Sequence, residues 1–266
     1  MKKLILISSY SLILSFCLTL SACKQTSSKT SANLAYITNQ GDNTVSVIDI
    51  AKLKVINTII VGKAPVGIAV SNHLNRAFVS NVDSKTISVI NTMTQQVIET
   101  IPLQSAPVGL ALAPDHETLY VADWYSDRVL AIDTENYNKR REVKVATAPA
   151  GLIVSPDSKI LYVAARDTND IALVNTATLA IIKRIQVGKH PFGLTLSVNG
   201  DTLYSVNVYD NTVSIINTAT YKQAVVKVGE HPYCAVTSPD NKTLYVTNTQ
   251  DDTVTIIKFD HKNNQH

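Results

Sequence analysis

His190 and His231 each precede a proline, and imidazole is a common metal ligand and proton carrier. An ion shared by the two would need both ring nitrogens within about 2 Å, whereas packed sheets stand roughly 10 Å apart. No third ligand accompanies them, so the pair reads as two loop histidines that hydrogen-bond locally, and no metal is expected. Trp124, Tyr125, Arg166, Asp167, Phe192, Tyr209 and Tyr233 are the other side chains of note. Aromatics with a few polar groups are the usual makings of a ligand or peptide surface. The bland account is that the aromatics cover loop ends and that Arg166 and Asp167 form a rim ion pair of little value. The sequence holds no Ser-His-Asp signature, no acidic ligand cluster and no cofactor motif. No cofactor or catalytic residue is therefore expected.

The spacing of these residues follows a repeat. Tyr36, Phe78, Tyr120, Tyr162, Tyr204 and Tyr245 are separated by 42, 42, 42, 42 and 41 residues, and Pro65, Pro107, Pro149, Pro191 and Pro232 keep the same beat. A period of about 40 to 45 residues is the mark of a β-propeller, each repeat being one small sheet stacked on its neighbours. Within the fourth repeat, residues 160–165, 170–175, 180–187 and 192–197 are short runs rich in Val, Ile, Leu and Tyr between turn residues, as antiparallel strands are. The expected fold is all-β: a single propeller of four-stranded blades about 42 residues long, spanning residues 34–260. Runs such as Thr44 to Ile50 are more continuously apolar than a half-solvated strand, which suggests blades covered on both faces.

Other recurring residues have structural readings. Ala113-Pro114-Asp115, Ser155-Pro156-Asp157 and Ser238-Pro239-Asp240 are turn chemistry. Asn39, Asn81, Asn207 and Asn248 end one strand in the manner of Asx turns. Gly67, Gly109, Gly151 and Gly193 follow the recurring prolines and suggest close backbone approach near the axis. Cys234 replaces glycine in the last repeat and reads as a small buried residue.

Antiparallel pairing also sorts the loops. The turn after the strand containing the recurring aromatic and the proline-bearing crossover to the next blade fall on one side of the wheel. There the repeats depart from one another. Early crossovers carry Ala64, Ala106 and Ala148, and later ones carry His190 and His231, followed by Phe192 and Tyr233. The turns carry Trp124-Tyr125, Arg166-Asp167 and Val208-Tyr209 in the middle repeats, so one sector collects the candidate binding residues.

Lys2 and Lys3 precede a largely apolar run from Leu4 to Leu20, and Leu20-Ser21-Ala22-Cys23 follows. This resembles a bacterial lipoprotein signal, and the resemblance implies removal of residues 1–22 and lipidation of Cys23. Residues 24–33, polar and rich in Ser and Thr, then read as a tether holding the domain on the order of 18 Å from its anchor. Residues 261–266 read as a polar tail. Without Lys2 and Lys3 the chain keeps 22 basic and 21 acidic residues, which gives no electrostatic case for nucleic acid. Cys17 and Cys23 being accounted for, Cys234 has no disulfide partner.

The units YITN, YVAD, YVAA and YVTN at 36, 120, 162 and 245, with strands such as TVSVID and crossovers VGKAPVG and VGKHPFG, resemble the YVTN-repeat β-propeller proteins over roughly residues 33–259. The resemblance implies that the segment after the proline is the innermost strand of a blade. Six blades with incomplete first and last members follow, 22 strands in all. Any open edge would be an aggregation liability. The expected function is a lipid-anchored envelope protein, facing the periplasm or cell surface, that binds a protein or small molecule on its loop face. The alternative is a periplasmic enzyme or enzyme-associated subunit, lactonase-like or quinone-dehydrogenase-associated.

Overall fold

The computed structural model describes residues 33–145 and 147–259. The expected signal, lipidated Cys23 and nearly all of the tether, together with the polar tail, lie outside the described residues. Six antiparallel sheets follow one another along the chain, with β-strands throughout and two short 3₁₀ turns. Blade one holds β1 (Leu34–Asn39), β2 (Thr44–Asp49) and β3 (Lys54–Ile60). Blade two holds β4 (Pro65–Ser71), β5 (Arg76–Asn81), β6 (Thr86–Asn91) and β7 (Gln96–Pro102). Blade three holds β8 (Pro107–Leu112), β9 (Thr118–Asp123), β10 (Arg128–Asp133) and β11 (Arg140–Lys144). Blade four holds β12 (Pro149–Val154), β13 (Ile160–Ala165), β14 (Asp170–Asn175) and β15 (Ile181–Gln186). Blade five holds β16 (Pro191–Leu196), β17 (Thr202–Asn207), β18 (Thr212–Asn217) and β19 (Gln223–Lys227). Blade six holds β20 (Pro232–Thr237), β21 (Thr243–Asn248) and β22 (Thr253–Lys258).

The first strands of successive blades, β4, β8, β12, β16 and β20, pack on one another, whereas the outer strands splay apart, so the proline-led strands are innermost. The glycines allow this. A Cβ on Gly67, Gly109, Gly151 or Gly193 would fall inside contact distance of the next blade's backbone, at the carbonyl oxygens of Val108, Ala150, Phe192 and Tyr233 respectively. Any larger residue at these four positions would push two backbones apart.

Five apolar clusters fill the five joints between consecutive blades. At the joint of blades two and three, Phe78, Ile87 and Val89 meet Leu119, Val121, Leu130 and Ile132, all buried. Burial of each such side chain contributes about 1.5–3 kcal/mol. The same pattern recurs around Tyr36, Tyr120, Tyr162 and Tyr204. Among the described residues no sixth cluster closes the joint between blades six and one, which is open. On blade six Tyr245, Val254 and Ile256 are 41%, 55% and 56% exposed, and on blade one Ile37, which corresponds to the buried Val121, is 49% exposed.

Three expectations need correction. The reading of Thr44 to Ile50 as covered on both faces holds for blades two to five, but β2 alternates half-buried and buried because blade one has a neighbour on one side only. Cys234 is exposed for the same reason: its sheet face looks into the open joint. Enough protein still surrounds the thiol to push its pKa up. The strand-ending asparagines are not Asx turns. Asn81 Nδ2 reaches across the hairpin to Thr86 Oγ1 (3.1 Å) and Ser88 Oγ (3.0 Å), and Asn39, Asn207 and Asn248 repeat the arrangement. Burial makes an unsatisfied amide expensive, so it pairs with the hydroxyls of the next strand.

Gly109→Ala is expected to lower unfolding free energy by about 3 kcal/mol, while Gly41→Ala, where a Cβ meets nothing within 4 Å, stays within about 0.5 kcal/mol of wild type. Urea denaturation midpoints of the two variants measure this.

Candidate functional site

In blades two to six the turn after the second strand is tied to the preceding crossover by backbone bonds, with a second bond from the following residue in blades two, four, five and six. Trp124 N donates to Ala106 O (3.4 Å), Arg166 N to Ala148 O (3.2 Å), Val208 N to His190 O (3.1 Å) and Thr249 N to His231 O (3.0 Å). The two kinds of loop therefore share one end of the wheel, as antiparallel pairing requires. Trp124 and Arg166 each begin a 3₁₀ turn, Trp124–Ser126 and Arg166–Thr168, which lifts the side chain out of its strand.

The crossovers hold His190 and His231 at φ of 54° and 48°, the left-handed region in which non-glycine residues are uncommon. A side-chain acceptor pins each one: Asn169 Oδ1 accepts from His190 N (2.9 Å) and Asn211 Oδ1 from His231 N (3.0 Å). Asn43 and Asp127 do the same for Ala64 and Ala148. Sequence reasoning missed these supporting residues, although Asn43, Asp127, Asn169 and Asn211 fall on the same repeat position and were legible from that phase.

The candidate side chains form one contiguous patch. The Arg166 guanidinium lies 5.3 Å from the Trp124 ring centroid and 5.8 Å from that of Tyr209, within cation–π range of both. Trp124 packs on Phe192 at 6.2 Å, and Phe192 on Tyr233 at 4.8 Å. Tyr209 sits between the two imidazoles, 4.2 Å from His190 and 5.3 Å from His231. The histidines thus face a phenol ring placed between them. Asp167 accepts from Arg166 Nη1 at 2.7 Å, which is the rim ion pair expected. Tyr125 stands apart from this group, 77% exposed and outside every aromatic contact of the patch.

Burial holds the His190 pKa below the ordinary imidazole value, and the Arg166 charge pushes the same way against a smaller opposing pull from Asp167. His190 Nδ1 is itself buried without a hydrogen-bond partner among the described residues. The ring is therefore neutral at pH 7 and contributes stacking rather than charge. Arg166 supplies the cation, partly neutralised by Asp167. Among the described residues no group of three or more His, Cys, Asp or Glu could hold a metal. Clefts of about 290–440 Å³ lie elsewhere on the wheel. One of about 290 Å³ is lined by Arg76, Glu99, Tyr137 and Arg140.

A folded-state pKa below the unfolded one means that the unfolded chain takes up the proton first as pH falls. The His190 contribution costs nothing above pH ~6.5, the unfolded value, and grows as pH drops below it. Acidification from pH 7 to 5 should therefore lower the melting temperature of wild type more than that of His190→Gln, as read by calorimetry.

Comparison with known proteins places the fold. At 18% identity the chain is similar to a functionally unknown protein from Desulfotomaculum acetoxidans, with a TM-score of 0.72 over 85% of this chain and 79% of that one. It is similar to a candidate 6-phosphogluconolactonase from Bacteroides uniformis at 17% identity, TM-score 0.71, over 86% and 78%. It also resembles hydrazine synthase of Kuenenia stuttgartiensis at 18% identity, TM-score 0.60, over 85% and 92%. No curated protein matches the chain. A family profile described as a YNCE-like beta-propeller matches residues 74–208, half of the sequence, from the turn before β5 to the end of β17. The chain belongs to the YNCE-like beta-propeller family.

Proposed function

We propose that this propeller is a non-catalytic binding module, held at a bacterial cell envelope through a lipid on Cys23, that captures a protein partner through its loop face. The observation carrying this reading is the single contiguous patch of Trp124, Arg166, Phe192, Tyr209, Tyr233 and the two histidines. Trp, Tyr and Arg are the side chains that concentrate binding energy at protein interfaces, because they offer large, stiff contact areas with a polar handle. Tyr209 and Tyr233 are 52% and 39% exposed, and aromatics open to solvent suit a partner's surface better than a small molecule, whose sites enclose most of the ligand.

Anchoring is supported by the Leu20-Ser21-Ala22-Cys23 sequence after a short basic start and an apolar run. Two or more acyl chains on one cysteine suffice for stable attachment. The second reading, a lactonase-like enzyme or enzyme-associated subunit, draws on the shared fold with the Bacteroides uniformis protein. It would show as turnover of a lactone by the purified chain.

Trp124→Ala combined with Arg166→Ala should abolish co-purification of envelope partners, read by affinity capture and mass spectrometry, with a melting temperature within about 2 °C of wild type, since surface changes alter stability little. Collapse of melting would place both residues in the core instead. Cys23→Ser is expected to move the protein from the membrane fraction to the soluble fraction on cell fractionation.

A further inference from the structure

The open joint leaves one strand edge prepared for a missing neighbour. In blades two to five the strand bearing the recurring aromatic is paired on both sides, but in blade one β1 pairs with β2 alone. Among the described residues no strand lies beside its axial edge. Blade two shows what belongs there. Gly67 N donates to Ser80 Oγ at 2.8 Å, and Ser80 Oγ donates to Val108 O at 2.7 Å, so a hydroxyl on the second strand links the glycine of the first strand to the next blade. Blade six repeats the upper half of this link, Cys234 N donating to Thr247 Oγ1 at 3.3 Å. Thr38 holds the same position in blade one, and its Oγ1 already donates to Val66 O at 3.0 Å. By the register of Ser80, an N–H placed as that of Gly67 would meet this hydroxyl.

We propose that an extended segment of a partner protein adds to the axial edge of β1 as the innermost strand of blade one. Its chemistry is given by the sibling strands that fill this place elsewhere, PVGIAVS, PVGLAL, PAGLIV and PFGLTL. The segment takes glycine at the residue whose N–H meets Thr38 Oγ1, because a Cβ there would strike Val66 O as one on Gly67 would strike Val108 O. An aliphatic residue follows the glycine. Main-chain hydrogen bonds to β1 provide affinity and the glycine provides selection, as in other strand-addition complexes.

The chain's own upstream residues match this poorly. In repeat register residues 23–29 read CKQTSSK, with Gln25 where the siblings have glycine and no aliphatic residue after it. Closure of the wheel on itself is disfavoured at the same spot. Cys234 brings a Cβ to the one inner joint that is open, whereas the four glycines stand at the four inner joints that are tight.

This edge is separate from the loop-face patch, so the two are tested apart. The probe is a synthetic peptide copying Gly62–Asn72, GKAPVGIAVSN, titrated into the full chain and followed by calorimetry and by hydrogen exchange of the β1 amides. Saturable binding that slows β1 exchange is expected. Thr38→Val should weaken it about fivefold, the loss of one hydrogen bond, while Thr38→Ser restores it. Trp124→Ala should leave it unchanged, so that loss of the loop-face reading and loss of this one are distinguishable. Absence of binding, or equal binding of a peptide carrying Gly67→Val, overturns the proposal. So does protection, before peptide is added, of the β1 amides that point away from β2, whether from upstream residues in a monomer or from a second copy in a dimer.

Discussion

Backbone meeting backbone at the axis is the constraint from which the rest of this molecule follows. Gly67, Gly109, Gly151 and Gly193 let each innermost strand lie against the next one's carbonyl, and that contact fixes how closely blades two to six can approach at the centre. With the inner strands held at that spacing, the faces of neighbouring sheets come together farther out, and the apolar side chains of the recurring aromatic strand find a complementary sheet. Crossovers are then forced to turn sharply over the end of the wheel. That turn is made with left-handed residues braced by asparagine and aspartate side chains, and it is what brings His190 and His231 against Tyr209.

Most of the architecture was readable because it is periodic. The recurring tyrosines and prolines locate every blade, and the strand boundaries of the fourth repeat agree with the structure to within one residue at each end. The convergence of Trp124, Arg166, Phe192 and Tyr209 also followed from strand alternation alone, since parity decides which end of a sheet a turn occupies. Tyr125 shows where that logic stops. Parity places its loop, but the 3₁₀ turn directs Trp124 toward the patch and Tyr125 into solvent.

What periodicity hides is whether a repeated face has a partner. Tyr245 and Tyr162 look alike in the sequence, and burial separates them, one 41% exposed and the other 3%. Cys234 was misread for that reason: a small residue on a glycine position implies burial only if another blade follows. The strand-end asparagines were misread for a different one. A local turn and a cross-strand bond call for the same residue type, and only Thr86 and Ser88, or Thr212 and Ser214, on the facing strand distinguish them.

A wheel with one unsealed joint behaves thermodynamically like a short linear array, in which each unit is held by whichever neighbours it has. Blades one and six, with a single packed face each, are the units that fray first, and the middle four form the lasting core. The loop-face patch straddles that boundary, because Trp124, Arg166 and Phe192 belong to the middle while His231 and Tyr233 ride on blade six. A molecule gripping both parts would fasten the frayed end to the core. Occupancy and cooperativity of unfolding would then rise together, although the contact lies far from the unsealed faces themselves.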